Sequence, residues 1–522
     1  MKTKPFLNAV RYNSDNAITM FGGGINNIYP PEFIQDDEAQ EIYNMSLDKY
    51  PALSTKIGRT MFKNPGIAGE TIQYFGCAGL NYLFYIQKGT TQGATGKLKD
   101  VNGVTIAEGL TGTDYNHTYY KDGTNEYLIL YGTGQQPTRF KLPLSSYDTP
   151  DAITIEDQNQ NQVYPKVMCY HKGRMYAADQ DILYFSALQN PMDWATANDS
   201  GYIKVTNAKG IITAMESYDD KLCIFSQNNM HELYGGIVFA NGETDYNLVD
   251  LNNSIGSYSQ AKVCNGLLYW LYAKSIYEYN GSAIRAIEQP NAKNGVIGGI
   301  KQYLDGILYT EAEKVTIAAS ESKIYFYFPN YKGKGRLFVF DQRLRKWTQE
   351  LQPEDKQAEL YYLRIADSFN SINFSQTPVP VYALTANGTI YEITGGRRAG
   401  GQYVKMYGED EYVDSEGLVY KKAIPFYFKS KRFTEGLVSK KKSLREIWLS
   451  YDLKGTANIR VTTDNGNTCL LENALEEGTN KVYPILIPYQ NMQNMNSYTI
   501  EIEGEGNIVL KQLERKYRIK VK

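Results

Sequence analysis

Three histidines are the first residues of this chain that could do chemistry, because imidazole binds metals and moves protons near neutral pH. His117, His171 and His231 lie more than 50 residues apart, and none has a companion at metal-ligand spacing. We interpret them as exposed or strand-edge residues and predict neither a metal site nor a cofactor. The five cysteines, an odd number without close pairing, are expected to be small buried core residues rather than disulfides.

Carboxylate pairs could support glycoside hydrolysis, which needs two carboxyl groups about 5–10 Å apart across the scissile bond. Neighbouring acids occur at Asp219 and Asp220 and at Glu311 and Glu313. Both pairs lie in turn-like sequence, where acids are common, and no acid recurs at a matching position along the chain. The glycine-rich residues 21–26 lack the Lys-Ser/Thr that completes a phosphate loop. We therefore predict that the chain is not an enzyme.

Basic residues gather towards the C-terminus, where they could meet DNA phosphates or acidic patches on a partner. Residues 417–522 carry 18 Lys and Arg against 11 Asp and Glu, whereas residues 1–416 carry 37 against 46. An ordinary solvated face is the simpler interpretation, and a lumen through which DNA slides needs only a weak field without sequence specificity. The candidate DNA-channel or inter-subunit patch consists of Lys429, Lys431, Arg432, Lys440, Lys441, Lys442 and Arg445.

The elements that must position these residues follow a repeat of turn residues and an aromatic strand, which returns about every 50 residues. Such a period, rich in strand formers, is typical of propeller blades. The spacings between its central residues run from 45 to 57 and predict seven blades. Six or eight stay open, because residues 305–309 fit the repeat as well as residues 323–328 do. The central residues are Tyr82, Tyr127, Tyr176, Cys223, Tyr269, Tyr325 and Tyr382.

Turn chemistry supports this all-β interpretation. Asn-Gly and Asp-Gly pairs, such as Asn265-Gly266 and Asp305-Gly306, are favoured in two-residue hairpin turns with positive φ. Long helical periodicity is scarce, and one short helix is predicted near residues 36–45. No apolar run reaches the roughly 20 residues of a membrane span, and the N-terminus lacks the apolar core of a signal peptide. The protein is expected to be made in a cytoplasm.

Three regions follow from these patterns. Residues 1–65 do not fit the repeat and are predicted to form an extended N-terminal arm with the short helix. Residues 66–400 are predicted to form the seven-bladed β-propeller. Residues 401–522 alternate apolar and polar side chains and predict a C-terminal antiparallel, β-sandwich-like domain. In an assembly, the arm could reach a neighbouring subunit.

Four passages of the chain resemble the propeller-bearing tail hub, or nozzle, proteins of short-tailed bacteriophages, in the manner of the P22 packaged-DNA stabilisation protein. Residues 44–58 resemble the family's "N-x-x … G-x-L-x-x-R-P-G" segment, although Lys56-Ile57 stands where the family has Arg-Pro. Residues 174–194 resemble its "R-l-y … y-S-d-l-x-n-P-x-x-W" blade. Residues 222–234 and 325–347 are similar to two further blade hairpins of the family.

The resemblance implies a virion protein that forms a hexameric homo-oligomeric ring at the distal end of a phage tail. Such a ring extends the DNA channel below the portal and adaptor, contacts tail fibres or spikes, and helps to retain packaged double-stranded DNA. The family supplies no catalytic residues. The alternative is a carbohydrate- or receptor-binding propeller at a tail tip or cell surface, because a propeller fold by itself does not determine function.

Overall fold

The computed structural model of the chain is almost entirely β-structure. It describes residues 16–519 apart from gaps at 66–69, 80–81, 196–198, 237–244, 253, 288–298, 332–333, 352–361, 368–378, 386–387, 395–396, 400–401, 414–416, 437 and 489–491. The N-terminal part contributes five short strands. They are β1 (Ala17–Ile18), β2 (Ala39–Tyr43), β3 (Met45–Ser46), β4 (Leu53–Thr55) and β5 (Thr60–Lys63).

Seven four-stranded antiparallel sheets form the blades of a propeller. Blades 1 and 2 comprise β6 (Glu70–Ala78), β7 (Tyr82–Gly89), β8 (Gly96–Asp100) and β9 (Thr105–Leu110), then β10 (Thr113–Asp122), β11 (Asn125–Thr133), β12 (Gln135–Leu142) and β13 (Asp151–Ala152). Blades 3 and 4 comprise β14 (Val167–His171), β15 (Arg174–Asp179), β16 (Ile182–Phe185) and β17 (Gly201–Lys204), then β18 (Ile212–Tyr218), β19 (Lys221–Ser226), β20 (Met230–Tyr234) and β21 (Asn247–Asn252).

Two short helices separate blades 5 and 6. Blade 5 comprises β22 (Ala261–Cys264), β23 (Leu267–Tyr272), β24 (Ser275–Tyr279) and β25 (Ile284–Ala286), and the helices are α1 (Lys301–Asp305) and α2 (Tyr309–Ala312). Blade 6 comprises β26 (Thr316–Ser320), β27 (Lys323–Tyr331), β28 (Lys334–Asp341) and β29 (Lys346–Leu351). Blade 7 comprises β30 (Tyr362–Asp367), β31 (Val381–Thr385) and β32 (Ile390–Glu392), and β5 supplies its fourth strand.

The seven predicted blade markers each fall in the second strand of a blade, so the predicted blade count is confirmed. The ambiguity at the sixth blade resolves because Tyr309 lies in α2 whereas Tyr325 lies in β27. Asn265-Gly266 forms the predicted turn, with φ of +44° and +73°. Asp305-Gly306 does not, because Gly306 caps the C-terminus of α1 in the right-handed helical conformation.

The C-terminal region adds two small hairpins and one large sheet. The hairpins are β33 (Arg397–Ala399) with β34 (Gln402–Val404), and β35 (Glu409–Val413) with β36 (Val419–Ala423). The large sheet, which we call the terminal sheet, is antiparallel and nine-stranded. It contains β1 to β4 and β37 (Pro425–Phe433), β38 (Lys442–Thr463), β39 (Thr468–Leu471), β40 (Gly478–Leu486) and β41 (Tyr498–Ile519).

Four of the five N-terminal strands, β1 to β4, belong to the terminal sheet rather than to an extended arm. β1 and β4 pair with β41, and β2 pairs with β37. The predicted helix near residues 36–45 is therefore wrong, because Ala39–Tyr43 is strand β2. Strand β2, in which Ala39 and Ile42 are buried, is stabilised by a cross-strand partner that lies almost 400 residues away in the chain. A local propensity argument could not include that partner.

Candidate functional site

Three predicted basic residues lie on β37 next to acidic residues of the same chain. Lys429, Lys431 and Arg432 each lie within 4 Å of a carboxylate, so part of their charge is neutralised internally. Two of these carboxylates belong to the N-terminal segment, which is thus held to β37 by ion pairs as well as by strand pairing. The pairs are Lys429 with Glu501 at 3.8 Å, Lys431 with Asp36 at 2.8 Å, and Arg432 with Glu32 at 3.8 Å.

The other four predicted basic residues lie in different environments. Lys440 and Lys441 are exposed, and Arg445 is half-buried. Lys442 is buried, and its ammonium group donates to the carbonyl oxygens of Lys440 and Asn496 at 2.9 and 2.8 Å. Burial lowers the pKa of Lys442. The seven residues do not form one open patch, and contact with DNA or a neighbouring subunit stays a prediction.

A second group of charged residues is buried between the propeller and the C-terminal region. The Nζ atom of Lys56 lies 3.2 Å from Asp410 Oδ1 and 3.4 Å from Glu350 Oε2, and Arg59 Nε lies 4.0 Å from Asp410 Oδ2. Lys56 and Arg59 are the first and last residues of the loop between β4 and β5. Glu350 belongs to β29, and Asp410 belongs to β35. We call Lys56, Arg59, Glu350 and Asp410 the junction cluster.

The junction cluster contains two cations and two carboxylates, so its formal charges balance. Lys56 and Arg59 are only 7% and 3% exposed. Burial alone would lower the pKa of Lys56, but the carboxylates of Asp410 and Glu350 outweigh it and raise this pKa. Burial raises the pKa of Glu350, although Lys56 opposes the change. Lys56 therefore stays protonated, and its ammonium group forms ion pairs with both carboxylates.

Aromatic rings surround the guanidinium of Arg59. The rings of Tyr391 and Tyr412 lie 4.8 and 4.6 Å from its central carbon, and the ring of Tyr362 lies 5.7 Å away. A cation–π contact contributes about 2 kcal/mol when the cation is desolvated. Because Tyr391 and Tyr362 come from blade 7 and Tyr412 from β35, Arg59 joins the two parts of the chain.

At the junction cluster, the main chain around Gly58 approaches the segment 406–410 closely. The amide of Gly58 donates to the carbonyl of Met406 at 2.7 Å, and the amide of Arg59 donates to Asp410 Oδ1 at 2.8 Å. A Cβ atom at Gly58 would lie 1.8 Å from the carbonyl oxygen of Glu409. The backbone approach therefore requires glycine, and it is the glycine that ends the first family-like passage.

The channel at the centre of the propeller is the other candidate region. A cavity of about 250 Å³ is lined by residues of the innermost strands of all seven blades: β6, β10, β14, β18, β22, β26 and β30. Four of these strands, β6, β10, β18 and β30, carry a register shift that redirects side chains near the channel. Its charged lining residues are Glu216, Lys262 and Arg364.

His117 is held in one orientation inside this channel. Its Nε2 lies 2.9 Å from the carbonyl oxygen of Cys77, which can only accept, so Nε2 carries the proton. Its Nδ1 then accepts from the hydroxyl of Tyr74 at 2.7 Å. Burial, together with the charges of Arg364 and Lys262, lowers the pKa of His117 to about 4. The imidazole is therefore neutral at physiological pH.

The other residues weighed for chemistry are not brought together. His171 and His231 are buried at 5% and 2% exposure, so the expectation of exposed histidines is wrong for these two. Asp219 and Asp220 are exposed in the turn between β18 and β19. Glu216 is the single carboxylate among the channel-lining residues that the structure describes.

The described residues contain neither a cluster of metal ligands nor a membrane-spanning helix. Within the described ranges, His, Cys, Asp and Glu nowhere form a group of three that could hold a metal ion. None of the described helices is long and apolar enough to cross a membrane. All five cysteines are buried, which confirms their predicted place in the core.

Comparisons with known proteins find distant similarity to solved structures. No protein-family model matches the chain, and no curated protein is similar to it in sequence. Among solved structures, puromycin hydrolase is similar over 71% of this chain and 61% of its own length, at 9% identity and a TM-score of 0.37. The WD40 domain of Neurospora crassa Pan2 matches over 65% of this chain and 95% of its own, at 7% identity and a TM-score of 0.34.

A third solved structure is the extracellular domain of a hybrid two-component system protein from B. thetaiotaomicron. It matches 87% of this chain and 60% of its own length, at 10% identity and a TM-score of 0.38. The chain thus spans about 60% of the length of this protein and of puromycin hydrolase. At these identities the comparisons concern the fold alone and transfer no activity to this chain.

Proposed function

We propose that the chain is a structural subunit of a short-tailed bacteriophage tail, where copies of it form the hub or nozzle ring. The order of the four family-like passages supports this proposal, as does a propeller followed by a β-rich C-terminal region. In such a ring the DNA passes through the opening that the subunits enclose. It does not pass through a propeller, because side chains reduce the channel of each propeller to a cavity of about 250 Å³.

The observation that carries the proposal is the rigid union of the propeller with the terminal sheet. The junction cluster links blade 6 and β35 to the segment between β4 and β5. One continuous apolar core contains Trp347 of blade 6, Phe428 of β37 and Leu513 of β41. Domains that share a core and buried ion pairs do not move independently. A subunit that transmits force along a tail requires this property.

The contact surface that we assign to the neighbouring copy is an apolar row on β40. Val482 and Leu486 are 63% and 72% exposed, and Pro484 between them is also exposed. Trp448 lies opposite Pro484 on β38 and is half-buried under the ammonium group of Lys516, 4.4 Å from its ring. Strand β40 pairs with β38 along one edge. Within the described residues, the opposite edge of β40 pairs with no strand.

The distribution of charge supports the proposal that a second copy of the chain covers this row. Residues 1–55 and 417–522, which include every strand of the terminal sheet, carry 22 Lys and Arg against 18 Asp and Glu, a net of +4, whereas residues 56–416 carry 33 against 39, a net of −6. Opposite charges on the two parts of one subunit favour head-to-tail contact between copies and disfavour contact between like parts. A head-to-tail contact closes into a ring when the rotation between subunits allows it.

Oligomeric state tests the proposed contact. We expect wild-type protein to form closed rings in native mass spectrometry and negative-stain microscopy. The variant Val482→Lys/Leu486→Lys should be monomeric with an unchanged circular dichroism spectrum. Tyr147→Lys, at a propeller position that is 95% exposed, is the matched control and should still form rings. Rings formed equally well by the double variant would refute the assigned contact.

The tail location needs its own test. Antibody against this chain should label virions from the source at the distal end of a short tail in electron micrographs. Unlabelled virions, in preparations where an antibody to a capsid protein does label, would refute the tail assignment. A glycan-binding screen would then address the alternative function.

A further inference from the structure

The propeller channel contains an arginine that lacks an acidic partner among the described residues. The guanidinium of Arg364, on β30, lies 4.3 Å from the ring centre of Tyr74 on β6. Buried arginines elsewhere in the chain are paired: Arg174 lies 3.1 Å from Asp199, and Arg515 lies 3.0 Å from Glu435. Arg364 differs because its recorded contact is with a ring face, which leaves the guanidinium edge available.

Hydrogen bonds hold the side chains around Arg364 in place. Tyr74 is 2% exposed, and its hydroxyl is held by His117 Nδ1 at 2.7 Å, so the ring on which Arg364 stacks is fixed. Asn116 Oδ1 lies 3.1 Å from the same hydroxyl. The stacked guanidinium is therefore preorganised, and less entropy is lost when its N–H groups meet a ligand.

The charges that face the cavity sum to a small positive value. Arg364 and Lys262 are cationic, Glu216 is anionic, and His117 is neutral because of its low pKa. The net charge is thus one positive, which a single negative charge would balance. The cavity of about 250 Å³ lies below the roughly 300–1,000 Å³ of sites for drug-sized ligands, so the ligand has few atoms.

We infer that the channel is a binding site for a small carboxylate, held by the N–H edge of Arg364 with Lys262 as the second cation. Arginine donates two parallel hydrogen bonds to a carboxylate, whereas a phosphate dianion would exceed the available positive charge. The carboxylate belongs either to a free small acid or to the end of a peptide side chain that enters the channel. This site is independent of ring assembly and goes beyond the proposed structural role.

Binding of defined anions at constant ionic strength tests the inference. Acetate, succinate, a short acidic peptide and inorganic phosphate would be titrated by calorimetry, with chloride as the background. We expect saturable binding of a carboxylate probe and at least tenfold weaker binding by Arg364→Gln. Tighter binding of succinate supports a free acid, and tighter binding of the peptide supports a side chain. Tighter binding of phosphate than of every carboxylate would overturn the choice of ligand.

The control variant is Arg139→Gln. Arg139 also stacks on a tyrosine, with its central carbon 4.6 Å from the ring centre of Tyr127, but its Nε is paired with Asp151 at 3.0 Å. It should bind the probe as wild type does. If Arg364→Gln fails to fold, Lys262→Met reports on the same cavity and should also weaken binding. Undetectable binding by folded wild-type protein, or binding unchanged in Arg364→Gln, would overturn the inference.

Discussion

Replacing Lys56 by methionine should destabilise the union of propeller and terminal sheet. The Lys56 ammonium lies 3.2 and 3.4 Å from two buried carboxylates, and at an effective dielectric near 20 each attraction amounts to about 5 kcal/mol. Desolvation of the three groups offsets part of this attraction. Lys56→Met preserves the length of the side chain, but it leaves Asp410 with Arg59 and leaves Glu350 with the weaker attraction of Lys323. We expect a loss of about 3–5 kcal/mol, as for other broken buried pairs.

Urea unfolding followed by tyrosine and tryptophan fluorescence measures this loss, and hydrogen exchange locates it. Amides of β5 and β35 should exchange faster in Lys56→Met, while those of blades 2 and 3 should change little. The matched control is Lys204→Met, which removes an exposed pair with Asp181 at 3.7 Å and should cost less than about 1 kcal/mol. A cost for Lys56→Met no larger than that of the control would refute a stabilising role for the junction cluster.

Three further perturbations follow from the structure. Gly58→Ala should cost about 3 kcal/mol or more in urea unfolding, because the new Cβ meets a carbonyl oxygen at 1.8 Å, whereas Gly89→Ala, with its closest contact at 3.3 Å, should be tolerated. His171 has its pKa lowered to about 4 by burial, so between pH 6.5 and 4 only the unfolded state takes up its proton. Stability should fall by as much as about 3 kcal/mol as the pH drops through that range, and this part of the fall should be absent from His171→Asn. Deleting residues 1–38 removes Phe21, whose ring packs 5.3 Å from that of Phe428, and should increase binding of the dye ANS; unchanged dye binding would indicate a dispensable arm.

The propeller could be predicted because each blade is a local unit. The sequence repeat places turn residues and an aromatic strand at a fixed interval, and hairpins pair residues that are close in sequence. Asn265-Gly266 succeeds as a turn signal for this reason, since its strands β22 and β23 lie on either side. Asp305-Gly306 fails because the same dipeptide also ends helices, and the strands that would flank it are absent.

The junction cluster and the terminal sheet could not be predicted in the same way, because their partners are far apart in sequence. Lys56 and Asp410 are separated by 354 residues, and nothing in either neighbourhood identifies the other. In the acidic run at residues 409–411, Asp410 and Glu411 are buried acceptors for main-chain amides of the distant residues Arg59 and Met61. The channel could not be predicted from the sequence either, because the innermost strand of every blade contributes to its lining.

The closure of blade 7 by β5 has a consequence for how the protein is made. The first strands to leave the ribosome are β1 to β5, but their partners β32, β37 and β41 are synthesised last. At about 5–20 residues per second, the early strands wait for tens of seconds with unpaired edges. The propeller cannot close before β32 is made, and the terminal sheet cannot be completed before β41 is made, so a chain terminated before β32 has no finished domain. Chains truncated before β41 lack the partner of β1 and β4, and such products are left to chaperones and proteases.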